Sequence, residues 1–352
     1  MLQLADTLSI LADGEFHSGE HLAQQLNVTR ASVWKYIDAV RQAGLDVFAV
    51  RGKGYRLSQP FELINKDTIL RHVTRELKTS AAGMPQLEVF WSLDSTNAHT
   101  LAHAKQGLPG GYTCIAEQQT QGRGRRGRVW QSPIGGNIYL SQYWQLSEGL
   151  NAAGGLSLAV AVALVKALRS VLDNNVPGIN AEANTSSQGQ IGVKWPNDIV
   201  YQDKKLAGIL VEISGEPSGP CHVVIGIGIN VYLPESYAVA IEQPWTDLQS
   251  ITAKPVARNQ LIARLIIELQ RAQQAAEQGR LHDYLQQWRT MDAYHNRPVV
   301  IHSAKGEFQG VVRGIDDSGA LQLACDGKLL HFHSGEVSLR AATRPSSRDS
   351  GH

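Results

Sequence analysis

Leu2, Leu4, Leu8 and Leu11 open the chain at roughly helical spacing, and Gly14 breaks the pattern. Ser18, with Glu20 and His21 behind it, starts a second short helix that runs to Leu26 and ends at Asn27. Thr29 caps a third helix, in which Val33, Ile37, Val40 and Leu45 share one face while Arg30, Ser32, Lys35 and Arg41 lie on others. Past Gly44 come two short strands, 47–50 and 55–57, joined by Arg51, Gly52, Lys53 and Gly54. Three helices with a tight turn before the third and a basic hairpin behind it give the layout of a winged helix-turn-helix, assigned to residues 1–60.

From residue 65 to 290 the pattern alternates. Strands are predicted at 87–91, 112–117, 137–143, 191–194, 198–201, 206–213 and 222–229, and helices at 95–106, 151–172 and 258–278. That is an α/β (α+β) domain around a mixed sheet. The stretch 176–190, rich in Asn, Ser and Gly, reads as a surface loop. Residues 295–342 turn wholly to short strands, at 299–302, 307–315, 320–324 and 328–333, with Gly306, Gly314, Gly319 and Gly327 near the turns. A small SH3-like β-barrel fits that spacing. The polar tail 343–352 is expected to be disordered.

Charge changes the picture only locally. The chain has 33 Lys and Arg against 32 Asp and Glu, which excludes a bulk polyanion binder. Between Arg30 and Arg56, however, there are six basic residues and two acids, Asp38 and Asp46. A helix fits the major groove, and small residues at a hairpin tip let it approach phosphates. Thr29, Arg30, Ser32 and Lys35 on the third helix and Arg51 and Lys53 on the wing are therefore the candidate DNA contacts. A helical bundle with a solvated basic face is the plainer alternative. The cysteines Cys114, Cys221 and Cys325 lack the close spacing of metal or redox motifs, which favours a reduced compartment. No metal-ligand set is read from the sequence. The start of the chain lacks the basic residues and apolar core of a signal peptide, and the longest apolar stretch, 155–168, is too short to span a membrane, so a cytoplasmic location is expected.

Four segments carry possible chemistry. In EQQTQGRGRRGR, residues 117–128, Gly122, Gly124 and Gly127 satisfy G-x-G-x-x-G, but Val129, Trp130, Ser132 and Pro133 follow where a Rossmann turn needs a helix. Its arginines repel one another without a ligand and suit a loop that orders on a phosphate. A basic surface loop is the alternative. In the second segment, VKWPND, Lys194 ends a strand beside a tight turn; pointing inward it could hold a carboxylate and an α-phosphate together, and pointing outward it is an ordinary sheet lysine. Ser95, Thr96 and Asn97 sit at a strand-to-helix junction, as an N-cap or as the polar end of a ligand site. Finally, GIGIN, residues 226–230, ends a strand where glycines allow close backbone approach.

In this order DSTN, GRGRRGRVW, VKWPND, KLAGILVE and GIGIN, behind the FHSGEHLAQQLNVTR head, closely resemble the bifunctional biotin protein ligases that double as biotin operon repressors. The resemblance covers nearly the whole chain and implies a central domain related to class II synthetases. It implies that biotin and ATP, assisted by Mg²⁺, give biotinyl-5′-AMP and pyrophosphate, and that a lysine of a biotin carboxyl carrier protein then takes the biotinyl group. Carried over by position, Ser95, Thr96, Asn97, Gln119, Arg123, Gly124, Arg125 and Lys194 would contact biotin. Arg123, Arg125, Arg128, Trp130 and Asn230 would contact the nucleotide, with Lys194 and Arg125 as the catalytic pair. The adenylate would also act as corepressor, driving homodimerisation on operator DNA. Competing readings are a sensor without catalysis, a lipoate-type acyl ligase, and a ligase whose head has no biotin-operon role.

Overall fold

The computed structural model describes residues 2–77, 84–104, 106–146, 155–172, 190–215, 221–303, 306–334 and 338–341. The polar segment 176–189 and the tail from residue 342 lie outside them.

The head holds α1 (Leu2–Leu11), α2 (Gly19–Gln25) and α3 (Arg30–Gln42), then the wing strands β1 (Val47–Val50) and β2 (Gly54–Leu57). The predicted caps are made: Ser18 Oγ accepts from the His21 amide at 3.0 Å and Thr29 Oγ1 from the Ser32 amide at 3.3 Å. Leu8, Leu11, Leu22, Val33, Ile37, Val40 and Leu57 form the core of the head. Ile134, from the loop after the arginine segment, belongs to the same cluster, so the head is packed onto the central domain.

The central domain begins with α4 (Lys66–Glu76), which periodicity did not predict. It continues through β3 (Leu87–Leu93), α5 (Thr96–Ala104), β4 (Thr113–Gln119), β5 (Ile138–Leu146), α6 (Leu156–Val171), β6 (Ile191–Lys194), β7 (Asp198–Tyr201), β8 (Lys204–Gly215) and β9 (Cys221–Ile229). The short helices α7 (Glu235–Ala238) and α8 (Leu248–Thr252) lead to α9 (Arg258–Glu277) and α10 (Leu281–Arg289). The sheet order is β3-β4-β5-β9-β8-β7-β6, with β3 and β4 parallel and the remaining pairs antiparallel. Alternation along β5 sorts its two faces. Ile138, Leu140 and Trp144 enter the large core that includes α6 and α9, while Ser141 reaches Thr96 and Asn97 of α5.

The third unit is an antiparallel sheet of β10 (Pro298–Ser303), β11 (Gly306–Ile315), β12 (Leu321–Cys325), β13 (Lys328–Phe332) and β14 (Ser338–Ala341), in the order β13-β12-β11-β10-β14. Trp195 Nε1 donates to Gly319 O at 3.2 Å, which ties this sheet to the turn after β6. Among the described residues no helix is long and apolar enough to cross a membrane.

Candidate active site

A cavity of about 820 Å³ opens on the α5 face of the central sheet. Every residue picked from the sequence for biotin or nucleotide lines it: Ser95, Thr96, Asn97, Gln119, Arg123, Gly124, Arg125, Arg128, Trp130, Lys194 and Asn230. They come from four separate stretches of chain, which the fold of the sheet brings around one cavity.

One end is a buried polar network. The Asp94–Asn97 stretch turns from β3 into α5, and Gln119 Oε1 accepts from Thr96 N at 2.9 Å and from Thr96 Oγ1 at 3.1 Å. Gln119 Nε2 donates to Ser132 Oγ at 3.2 Å. Ser141 Oγ lies 2.6 Å from Asn97 Oδ1, and Asn97 Nδ2 donates to Glu212 Oε2 at 2.8 Å. Gly226 sits directly against the Asn97 amide, where any Cβ would collide. The N-cap and ligand-site readings of this segment are compatible: Ser95 Oγ accepts from Ala98 N at 3.4 Å while the residue still lines the cavity.

The arginine segment is folded into a turn. Gly124 N donates to Arg128 O at 2.7 Å and Trp130 N to Gly122 O at 2.9 Å. The repulsion expected among its arginines is relieved by spreading them. Arg125 Nη1 donates to Asn197 Oδ1 at 3.0 Å and Nη2 to the Ser334 carbonyl of the third unit, while Arg123 lies 3.7 Å from Glu212. Burial lowers the Arg125 pKa, opposed by Asp198 and reinforced by Arg126 and Arg128. Trp130 lies over Gly228 and Gly208, with Lys205 Nζ 5.2 Å from its ring; a Cβ at Gly228 would strike the indole. The indole Nε1 is buried with no hydrogen-bond partner among the described residues.

Lys194 points into the cavity at the end of β6. Burial lowers its pKa, Lys205 and Arg340 push the same way, and Asp198 and Asp203 oppose them. A desolvated ammonium short of full compensation is a prepared seat for an anion. Asn230 lines the cavity but spends its amide on the Thr246 carbonyl at 3.1 Å, holding the 240–245 wall in place.

The head presents its own candidates outward. Arg30, Lys35, Arg51 and Lys53 are exposed, Ser32 half-buried, and Thr29 is the cap itself. Gly54, at φ 103°, lets the wing close on His17: Tyr55 N donates to His17 O at 2.8 Å and His17 N to Tyr55 O at 2.9 Å.

Sequence models of three families match in the same order: an HTH domain over residues 4–56, the Biotin/lipoate A/B protein ligase family over 89–230, and the biotin protein ligase C terminal domain over 294–340. The bifunctional ligase/repressor BirA of Escherichia coli is 41% identical over 337 residues, covering 96% of this chain and 97% of that protein. Its Salmonella typhimurium counterpart is 40% identical over 335 residues, covering 95% and 97%. This chain belongs to the bifunctional ligase/repressor family of biotin protein ligases. Among solved structures, the Aquifex aeolicus biotin protein ligase in complex with biotin and ATP matches with a TM-score of 0.58 at 25% identity, over 73% of this chain and 99% of that one.

A biotin protein ligase of this kind is thus a ligase with a helix-turn-helix repressor head. Sequence reasoning missed several residues lining this ligase's cavity. Asp198, Lys205 and Leu210 lie inside VKWPND and KLAGILVE, motifs quoted for the resemblance but given no roles. Tyr294, Leu339 and Arg340 come from beyond the central domain and carry no local signal.

Proposed function

We propose that the cavity binds biotin and ATP together, joins them as biotinyl-5′-AMP, and passes the biotinyl group to a lysine of a biotin carboxyl carrier protein. The observation that carries this is convergence: a half-desolvated lysine, five arginines and a buried polar network surround one cavity whose volume falls within the usual range for a small-molecule site, roughly 300–1,000 Å³. The Ser95–Asn97 end, closed over Gly226, suits the biotin ring system, and the Trp130 side, floored by glycines, suits the adenine.

In the first step a biotin carboxylate oxygen bonds to the α-phosphorus and pyrophosphate leaves. Lys194 sits where carboxylate and α-phosphate must meet; its ammonium offsets their mutual repulsion and the charge that develops between them. Arg123, Arg125 and Arg128 hold the phosphates. In the second step the carrier amine attacks the acyl carbon and AMP leaves, while the folded arginine segment shields the anhydride from water. Mg²⁺, brought by the nucleotide, would offset charge on its phosphates, and Asp198, which lines the cavity, would be the carboxylate available to meet it. The adenylate is also the corepressor, favouring a homodimer whose two heads, through Thr29, Arg30, Ser32, Lys35, Arg51 and Lys53, engage a two-fold operator.

The test is incubation of the protein with biotin, ATP and Mg²⁺, following pyrophosphate release and biotinylation of a carrier domain. Lys194→Ala should lower adenylate formation at least about 100-fold, the scale of losing one buried charge-stabilising donor. Absence of adenylate with biotin would overturn the reading. A gel shift on the chain's own biotin-synthesis promoter, with and without adenylate, tests the repressor step; equal affinity in both lanes removes it.

A further inference from the structure

The third unit is attached to the strand that carries Lys194. Residues 291–293, just beyond α10, run parallel to β6: Val193 N donates to Met291 O at 2.7 Å and Ala293 N to Val193 O at 3.0 Å. Gly192 makes the approach possible, since a Cβ there would lie 2.8 Å from that of Ala293. The segment leads into Tyr294, which is buried, lines the cavity, and has its ring centroid 5.7 Å from Lys194 Nζ.

Three groups fix that ring. Asp292, also buried, accepts the Tyr294 amide at 2.9 Å. Arg297 lies over the ring at 4.6 Å, and Asp203 takes Arg297 in a two-pronged ion pair at 2.7 and 2.8 Å. Burial, with the nearby Asp203 carboxylate, pushes the Tyr294 hydroxyl up. Because Asp203 neutralises Arg297, the ring face can attract a second cation, and Lys194 is the one in reach.

We infer that Tyr294 is a positioning residue for Lys194, its ring holding the ammonium at the junction of carboxylate and α-phosphate, so that docking of the C-terminal unit completes the adenylation site. The inference rests on the ligase reading above. Tyr294 touches neither reacting group; it acts through Lys194.

The experiment is biotin-dependent ATP–pyrophosphate exchange by the full-length chain, at enzyme concentrations high enough to follow residual exchange by Lys194→Ala. Tyr294→Phe keeps the ring and should stay within about twofold of wild type, whereas Tyr294→Leu should lose about tenfold in kcat, the scale of one desolvated cation–π contact. On the Lys194→Ala background Tyr294→Leu should cost nothing further, because the group it positions is gone. A merely structural role predicts equal loss on both backgrounds, and that result overturns the inference. Wild-type exchange by Tyr294→Leu, or a Phe variant as impaired as the Leu variant, overturns it as well. A wild-type chain without exchange overturns the ligase reading and this inference together.

Discussion

Arg258 at the start of α9 is 1% exposed and gathers the joint between head and sheet. Its guanidinium meets Glu117 at 2.9 and 3.1 Å, the Asn137 carbonyl at 2.8 Å, and the Glu62 carbonyl through Nε at 2.8 Å and through Nη2. Glu117, 2% exposed, also accepts the Ile64 amide at 2.5 Å, so one ion pair fixes the segment that leaves the wing. Arg258→Met would keep the volume and remove the charge. It strands a buried carboxylate and two carbonyl acceptors, which should cost about 3–5 kcal/mol for the broken pair, with the carbonyls pushing toward the upper end. Arg258→Met with Glu117→Leu removes both charges and should be less damaging than Arg258→Met alone, because an apolar replacement of a buried pair is often near neutral. Urea unfolding of the two single variants and the double gives the cycle. A loss under about 1 kcal/mol for Arg258→Met, or a double variant as unstable as the sum of the singles, would refute the claim that this pair secures the joint.

Two further outcomes are expected. Burial pushes the Asp292 carboxyl up to about 7, opposed by the Tyr294 amide and Arg297, so its neutral form is the one the fold favours. That contribution is complete below the unfolded carboxylate pKa of 3.8 and is lost as pH rises through about 7. Asp292→Asn keeps the acceptor for Tyr294 and should stabilise the protein above pH 8 by up to about 4 kcal/mol, a gain that vanishes near pH 4; thermal melts across that range check it, and a pH-independent difference contradicts it. Gly228→Ala places a methyl against the Trp130 indole and should raise the ATP KM in pyrophosphate exchange by about tenfold or more while leaving biotin affinity by calorimetry nearly unchanged; equal effects on both ligands would mean that Trp130 does not mark the nucleotide side.

What was legible in the sequence was local chemistry. A strand-to-helix junction needs a cap, a phosphate loop needs glycines and arginines, and a strand that approaches a ring needs glycine, so each segment keeps its signature whatever folds around it. Those signatures marked the segments, the family resemblance assigned eleven of their residues to biotin or nucleotide, and all eleven line the cavity. Periodicity was weaker on helices whose apolar face is narrow: α4 buries only Ile69 and Val73, although Asn65, which accepts the Thr68 amide at 2.9 Å, was a readable cap. In α10 the spacing of Leu281, Tyr284, Leu285 and Trp288 was readable too.

The rest was illegible for a different reason. Glu117 meets Arg258 across 141 residues, and Tyr294 lies 100 positions beyond the lysine it faces; no spacing rule encodes a partner delivered by another unit. Glu117 looked like the polar end of a strand and proved to be the anchor of the linker, and Arg297 looked like the start of a barrel and proved to lie over an aromatic ring beside Lys194. The Glu117 charge is buried only because its counter-charge arrives from a distant segment, since an unpaired buried charge would be prohibitively costly; the Arg297–Asp203 pair is likewise assembled from distant segments but stays partly exposed. On the C-terminal side the contacts between units reach the site itself: residues 291–293 bond to the strand that ends in Lys194, and the Ser334 carbonyl accepts from Arg125 of the arginine turn, so one docked unit touches both elements.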